Sequence, residues 1–187
     1  MNVDIHKNLP KTAVIGATGF LGSAFLSNYR RIYRDCAGTS WRPSSDILYL
    51  DLCSPDITPL RLGETGHKDA LLLAAITKID KCEKEKELTR NINVAGTLEL
   101  MKQLVNEGIK PIFFSSDYVF DGIAGNYMDD APANPITEYG RQKAEVEAAI
   151  GEITRGNYLV VRLSKVFSLK KGDGSLLDEM AGIFASG

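Results

Sequence analysis

The stretch that decides the fold is "TAVIGATGFLGSAFL", which runs from Thr12 to Leu26. Its first six residues are a short apolar run that reaches a glycine, and this pattern predicts a buried β-strand. From Phe20 to Tyr33 the apolar residues recur at helical spacing, which predicts an α-helix. A strand, a glycine-rich turn and a helix therefore follow one another with no linker between them.

The same alternation of short apolar runs and helix-length amphipathic segments continues along the chain. We predict further strands near Asp35–Ser40 and over Asp46–Leu52, Asp69–Ala75, Lys110–Ser116 and Tyr158–Ser164, with helices over about Asp80–Asn106 and around Tyr139. Strands of near-continuous apolar character that alternate with helices are typical of a parallel sheet covered on both faces. The predicted fold is therefore α/β, a Rossmann-like doubly wound parallel sheet with helices on both faces, formed by one domain over residues 1–187.

Composition excludes several classes of function. The chain has 44% hydrophobic and 25% charged residues and a net charge of −2, with no basic run, so we expect neither a nucleic-acid partner nor a membrane partner. Its three cysteines are widely spaced and its two histidines are scattered, which favours neither a disulfide framework nor a metal site. This cysteine usage is typical of the reducing cytoplasm.

The glycine turn has the spacing of a dinucleotide-binding loop. Gly16, Gly19 and Gly22 stand at the first strand-to-helix junction, where the first glycine permits a tight turn and the second lets a pyrophosphate approach the backbone. The third allows the helix to pack closely on the strand, and the N–H groups at the helix start meet the anion. Selection for close packing alone is the alternative explanation of this turn.

The end of the second predicted strand favours NADP (NADPH) over NAD. NAD sites usually carry an acidic residue about 20 residues beyond the turn, but that stretch here reads "AGTSWRPSS". Ser40 and Arg42 are predicted to bind a 2′-phosphate instead, since the guanidinium fork suits that group. The alternative is that Arg42 is a surface residue and that Trp41 covers the core.

A second pattern places a phenol beside an ammonium. Tyr139 and Lys143 are four positions apart in "TEYGRQKAE", so they share one face of the predicted helix. A phenol ordinarily has a pKa of about 10, and a neighbouring positive charge favours the phenolate. We therefore expect Lys143 to lower the pKa of Tyr139 and make it a proton donor, although an ordinary packed Tyr beside a solvated Lys has the same spacing.

Together these motifs resemble the extended short-chain dehydrogenase/reductase superfamily, and within it the sugar-nucleotide-binding branch that includes dTDP-4-dehydrorhamnose reductase. "FFSSDYVFDG", from Phe113 to Gly122, is the most specific match. The segments "AAITKIDKCE", "NINVAGT" and "VVRLSKVFS" follow in family order. The resemblance extends from about Lys11 to Phe167.

The resemblance implies a reductase mechanism and a set of site residues. Tyr139 would protonate a carbonyl oxygen, Ser116 would polarise that carbonyl, and Lys143 would tune Tyr139 and bind the nicotinamide ribose. The further cofactor contacts that it implies are Thr18, Phe20 and Leu21 in the glycine turn, Asp51 and Leu52 at the adenine, Ala74, Ala75 and Ile76 as a backbone wall, and Asn93 and Ser115. The bland alternative is that the alanines are core residues and that Asn93 makes a local hydrogen bond.

Two departures from the family pattern remain. Lys165 in "RLSKVF" stands where dehydrorhamnose reductases usually have a Trp that packs on the sugar. This Lys is suited to face a phosphate or an acidic substrate, and the alternative is that it simply points to solvent. The chain also ends at "EMAGIFASG", which reads as a helix, whereas extended members continue into a substrate subdomain. We therefore expect that the C-terminal substrate subdomain is missing and that an unpaired sheet edge favours a homodimer.

The leading hypothesis is an NADP-dependent reductase of a 4-keto sugar nucleotide. The first alternative is a regulatory subunit that binds the nucleotide without turnover, as in the related regulatory subunit of methionine adenosyltransferase. The second is a sugar-nucleotide epimerase, which the lack of an acid after the glycine turn disfavours because epimerases usually hold NAD.

Overall fold

The computed structural model describes residues 10–168, and the predicted helix at Glu179–Gly187 lies outside them. The strands are β1 (Thr12–Ile15), β2 (Gly38–Ser40), β3 (Leu48–Tyr49), β4 (Asp69–Leu72), β5 (Lys110–Ser116) and β6 (Leu159–Leu163). The α-helices are α1 (Phe20–Ile32), α2 (Ile79–Lys84), α3 (Lys86–Arg90), α4 (Thr97–Asn106) and α5 (Glu138–Ile153). A π-helical segment covers Asn91–Gly96, and 3-10 turns cover Thr58–Leu60 and Asp117–Val119.

The strands form one six-stranded sheet in the order β3-β2-β1-β4-β5-β6. Every pairing is parallel, with Val14 opposite Gly38 on one side of β1 and opposite Leu71 on the other. This is the doubly wound order, in which strands are added outward on one side of β1 and then on the other, beginning with β4. In such sheets ligands bind at this switch point, at the carboxyl ends of the strands. The predicted fold class is confirmed.

The sheet is covered on both faces because successive side chains of each strand point to opposite sides. Ala13 and Ile15 belong to one buried cluster, which includes Leu100 and Met101 of α4 and Val146 and Ile150 of α5. Val14 belongs to the other, together with Leu26 of α1 and with Ala17, Cys36, Ile47 and Leu71. Alternation along one short strand therefore assigns α4 and α5 to one face and α1 to the other.

Two predicted elements differ from the structure. The strand expected over Asp46–Leu52 is reduced to Leu48–Tyr49, because β3 is an edge strand that pairs with β2 alone and exposes both of its residues. The helix expected over Asp80–Asn106 is broken at Glu85, whose φ of −120° and ψ of 51° are not helical. It is also locally widened into the π-helical segment, which a 3.6-residue periodicity does not reveal.

The π-helical segment lies against the chain that follows β3. A Cβ at Gly96 would come within 1.8 Å of the Leu52 carbonyl oxygen, so the two backbones touch where only a glycine fits. This contact ties the long helical region to the carboxyl edge of the sheet.

None of the helices within residues 10–168 is long and apolar enough to cross a membrane.

We expect Gly96→Ala to lower the free energy of unfolding by about 3 kcal/mol or more, because the overpacking falls on backbone that cannot move aside. Urea denaturation measures this change. Gly151→Ala in α5 is the matched control, since its Cβ would meet nothing nearer than the Tyr158 hydroxyl at 3.7 Å. The control should be neutral or stabilising by up to about 1 kcal/mol, and equal effects at both positions would contradict the contact.

Candidate active site

The glycine turn brings three stretches of backbone into contact. Gly16 has a φ of +91°, and a Cβ there would lie 2.6 Å from the Ala74 nitrogen at the end of β4. A Cβ at Gly22 would lie 2.1 Å from the Gly16 carbonyl oxygen. Gly16 therefore makes the tight turn and Gly22 the close helix packing that the sequence predicted.

Gly19 has no such internal reason to be glycine. A Cβ there would meet the Gly16 oxygen at 3.4 Å, an ordinary contact, so the space above it is open. Gly19 is also the N-cap of α1, which has no capping side chain and no acidic residue in its first turn. A helix start of this kind attracts anions. The turn therefore fits a dinucleotide pyrophosphate.

The end of β2 is joined to the glycine turn by side chains. The Thr18 and Ser40 hydroxyl oxygens are 2.9 Å apart, and the Arg42 backbone N–H donates to Ser40 Oγ at 3.1 Å. The Ser40 hydroxyl is buried by these contacts, so it braces the turn as well as standing at the predicted phosphate position. The Arg42 guanidinium lies 4.1 Å from the centre of the exposed Trp41 ring, which leaves its N–H groups at the surface.

A cleft of about 740 Å³ opens beside the carboxyl ends of β4, β5 and β6. The three predicted catalytic residues, Ser116, Tyr139 and Lys143, all line it. The predicted cofactor residues Leu21, Ala75 and Ser115 line it too, as does Lys165. The other predicted cofactor residues do not line this cleft. Most of them follow the carboxyl ends of β1 to β4 and therefore lie along the same edge of the sheet, whereas Asn93 lies on the π-helical segment.

Helix α5 is seated against the Asp117–Val119 turn by a residue that the sequence analysis missed. A Cβ at Gly140 would lie 2.1 Å from the Tyr118 carbonyl oxygen, so this glycine lets the helix approach the turn that directly follows Ser116. The Thr137 side chain accepts the Gly140 N–H at 3.0 Å and caps the helix. The signal that could have found it is the glycine directly after Tyr139, inside a helix.

Lys143 is buried, with 5% of its surface exposed. Its ammonium donates to the Phe114 carbonyl oxygen at 2.8 Å and lies 4.5 Å from the centre of the Phe113 ring. Burial lowers the pKa of Lys143 to about 8, and the Glu147 carboxylate opposes that change. The ammonium has three N–H donors and one acceptor among the described residues, so it can serve further acceptors in the cleft.

The predicted lowering of the Tyr139 pKa is wrong for this state of the protein. Burial raises the pKa of Tyr139 to about 12, and the neighbouring Cys82, Asp117 and Tyr118 add to the rise. Lys143 does not offset this, because its ammonium is directed at the Phe114 carbonyl and lies 5.7 Å from the centre of the Tyr139 ring. Within residues 10–168 the Tyr139 hydroxyl has no hydrogen-bond partner, so it is free to meet a ligand.

The two adjacent serines at the end of β5 differ in their contacts. The Ser116 hydroxyl donates to Asp117 Oδ1 at 3.0 Å and accepts the Tyr118 N–H at 3.3 Å. The Ser115 hydroxyl is buried and has no hydrogen-bond partner in the described part of the chain. A buried polar atom without a partner is unusual in a folded protein, and this one lies in the cleft lining, which fits a bound cofactor or substrate.

Asn93 fixes the backbone that follows β4. Its Oδ1 accepts the Ile76 N–H at 2.8 Å, and its Nδ2 donates to the Ile76 carbonyl at the same distance. These two hydrogen bonds hold the Ile76 backbone in place, and the cofactor wall over Ala74–Ile76 stays a prediction. Asp51, predicted at the adenine, accepts the Cys53 N–H at 2.8 Å, and Leu52 is buried beside it.

Among residues 10–168 no cluster of His, Cys, Asp or Glu could hold a metal ion.

One protein-family model matches most of the chain. The family model for the RmlD substrate binding domain matches residues 11–182. The chain belongs to the RmlD substrate binding domain family. The resemblance to the dTDP-4-dehydrorhamnose reductase branch of the extended short-chain dehydrogenases is thereby confirmed.

The relatives of the chain include two reductases and a subunit of methionine adenosyltransferase. The chain is 29% identical over 141 residues to methionine adenosyltransferase 2 subunit beta of Xenopus tropicalis, covering 75% of the chain and 42% of that protein. It is 32% identical over 168 residues to a probable low-salt glycan biosynthesis reductase of Haloferax volcanii, covering 87% and 55%. It is 32% identical over 133 residues to dTDP-4-dehydrorhamnose reductase of Sinorhizobium fredii, covering 68% and 45%. The chain therefore spans about half the length of these relatives.

Solved structures share the fold. A dTDP-4-dehydrorhamnose reductase of Bacillus anthracis in complex with NADP superposes with a TM-score of 0.73 at 23% identity, over 95% of this chain and 61% of that one. MoeE5 in complex with UDP-glucose and NAD superposes with a TM-score of 0.68 at 24% identity, over 82% and 52%. At these identities the likeness is one of fold.

We expect Lys143→Met to stabilise the protein by up to about 3 kcal/mol at pH 7, since each pKa unit between the unfolded and folded lysine is worth about 1.4 kcal/mol. The lysine pKa falls from 10.5 to about 8 on folding. The unfolded chain therefore binds more protons between pH 8 and 10.5, and the lysine's penalty disappears as the pH rises through that window. Urea denaturation of both proteins from pH 7 to 10.5 measures the difference, which should shrink with pH. A variant less stable than the wild type at pH 7 would contradict this.

Proposed function

We propose that this chain carries the cofactor and catalytic half of a nicotinamide-dependent carbonyl reductase that acts on a keto sugar nucleotide. The observation that carries the proposal is the convergence of Ser116, Tyr139 and Lys143 on one cleft, next to an open glycine turn. Membership of the RmlD family and the names of two of its relatives support the reaction class.

The residues divide the work of protonating a carbonyl oxygen. Tyr139 keeps its proton at neutral pH, since a phenol has a pKa of about 10 even in water and burial raises the pKa of Tyr139 further. It is therefore in the acid form that a reduction requires. Its hydroxyl, with no partner in the described chain, donates to the substrate oxygen. The Ser116 hydroxyl can turn from Asp117 to donate to the same oxygen. General acid catalysis of this kind contributes about 10²–10⁴ in rate.

The cofactor that fits the glycine turn is a nicotinamide dinucleotide, and NADP is the form we propose. Such a cofactor supplies a hydride to the carbonyl carbon when bound. Gly16, Gly19 and Gly22 would hold its pyrophosphate, Arg42 its 2′-phosphate and Lys143 its nicotinamide ribose. Structural neighbours are recorded with NADP and with NAD, so the preference in this chain depends on Ser40 and Arg42.

The family and Lys165 support the proposed substrate class. Relatives include a dTDP-4-dehydrorhamnose reductase, which supports a keto sugar carried on a nucleotide. Lys165 lines the cleft on the side of β6 and forms no ion pair with any residue described. It stands where the related reductases usually have an aromatic residue, so we propose that its ammonium contacts a phosphate or an acidic group of the substrate in place of a ring that stacks on the sugar.

The similarity to methionine adenosyltransferase 2 subunit beta favours a second candidate function. In that case the chain would bind the nucleotide and regulate a partner enzyme without turnover. The two candidates differ in one respect that is easily measured, namely whether NADPH is consumed.

We expect Tyr139→Phe to reduce NADPH oxidation by about 100-fold or more, because the variant lacks the proton that the carbonyl oxygen takes up. Loss of NADPH absorbance with a panel of nucleotide-linked 4-keto sugars measures turnover. NADPH affinity, measured by calorimetry, is the control and should remain within about twofold. A wild type that binds NADPH but consumes none with any sugar of the panel would contradict the reductase and favour the regulatory candidate.

We expect Arg42→Ala to weaken NADPH binding by about tenfold, which is the loss of one charge-assisted contact to phosphate. NADH binding should be unchanged, because NADH has no 2′-phosphate. Titration of both nucleotides against both proteins measures the four affinities. If the ratio of NADPH to NADH affinity is the same in the two proteins, Arg42 does not read the phosphate.

A further inference from the structure

A cluster of buried polar side chains lies outside the cleft, between α5 and the helices that follow β4. Gln142 is 1% exposed, Thr89 is fully buried and Asn93 is 2% exposed. Gln142 belongs to the same helix as Tyr139 and Lys143 and directly precedes Lys143. Burying an amide to this degree costs folding free energy unless its polar atoms have hydrogen-bond partners.

The hydrogen bonds of the cluster have one consistent direction. Gln142 Nε2 donates to Thr89 Oγ1 at 2.9 Å and, more weakly, to Glu138 Oε1 at 3.4 Å. Thr89 Oγ1 donates in turn to the Glu85 carbonyl at 3.0 Å. Because the Gln142 nitrogen is fixed as a donor, its Oε1 is the acceptor that faces Asn93.

Asn93 is the junction between this cluster and the backbone wall. Its Nδ2 donates to Gln142 Oε1 at 2.8 Å, and the same amide group makes both hydrogen bonds to Ile76. Without Gln142, the second Asn93 N–H has the Cys82 sulfur at 4.0 Å as its remaining neighbour. That separation is at the outer limit for sulfur, and burial raises the pKa of Cys82, so the neutral thiol is a poor acceptor.

We propose that Gln142 is a positioning residue that sets, through Asn93, the place of the Ile76 backbone relative to the helix carrying Tyr139 and Lys143. The proposal rests on the proposed function in so far as Ile76 belongs to the cofactor wall. The link itself does not depend on the proposed function, because the Gln142 amide joins α5 through Asn93 to the Ile76 backbone. Neither Gln142 nor Asn93 lines the cleft.

The first test measures amide hydrogen exchange at Ile76 in the variant Gln142→Met, which keeps side-chain length and removes the hydrogen bonds with Thr89, Glu138 and Asn93. Leu73 is the internal reference, since its N–H donates to the Ile15 carbonyl at 2.9 Å within the sheet. We expect exchange at Ile76 to accelerate about tenfold more than at Leu73. Equal acceleration at the two amides, or none at either, would overturn the proposal.

The matched control is Val146→Ala, a fully buried position one helical turn further along α5. It removes apolar contacts from the same helix and leaves the cluster intact, so Ile76 should accelerate no more than Leu73. Thr89→Val is the second variant, for use if Gln142→Met does not fold. It removes the acceptor of Gln142 Nε2, and a smaller selective acceleration at Ile76 is expected.

The second test measures NADPH affinity in a double-mutant cycle with Asn93→Ala. Gln142→Met should weaken binding about tenfold in the wild-type background and have almost no effect where Asn93 is already removed, because Gln142 acts through Asn93. Equal effects in both backgrounds would overturn the proposal. Failure of the wild type to bind NADPH would refute the proposed function instead, and the exchange comparison of Ile76 with Leu73 would still decide the role of Gln142.

Discussion

The site depends on one contact between backbones, at Gly16. There the end of β1 touches the end of β4 and the first turn of α1, each more closely than a side chain allows. Because β1 and β4 are the strands at which the sheet reverses its winding, this contact sets both the shape of the crevice and the start of the helix that faces it. The open side of the same turn, above Gly19, is left for an anion.

On the far side of the crevice, burial acts in opposite directions on two neighbouring groups. It raises the pKa of Tyr139 to about 12 and lowers that of Lys143 to about 8. Both changes have one cause, the removal of charge from water. The fold tolerates the lysine because the Phe114 carbonyl and the Phe113 ring face its ammonium. A group that costs stability and is nevertheless enclosed beside a cleft is typical of functional sites.

The sequence predicted what depends on spacing and missed what depends on packing. Glycine spacing identified the turn at Gly16, and the separation of Tyr139 from Lys143 placed both in one cleft. The pKa of Tyr139 was predicted in the wrong direction, since spacing does not show how deeply a side chain is buried. The break at Glu85 and the π-helical segment were invisible to a 3.6-residue period. Gln142 was overlooked because its partners, Thr89 and Asn93, are distant in the chain.

The stacking of Arg42 on Trp41 has a practical consequence. Trp41 is the single tryptophan of the sequence, so all indole fluorescence of the protein originates beside the predicted phosphate position. Trp41 is 63% exposed, and the Arg42 guanidinium lies over the face of its ring. A ligand that draws the guanidinium away alters both the solvent and the charge next to the indole. The chain thus contains its own optical reporter, at the edge of the sheet and outside the cleft that Ser116, Tyr139 and Lys143 line.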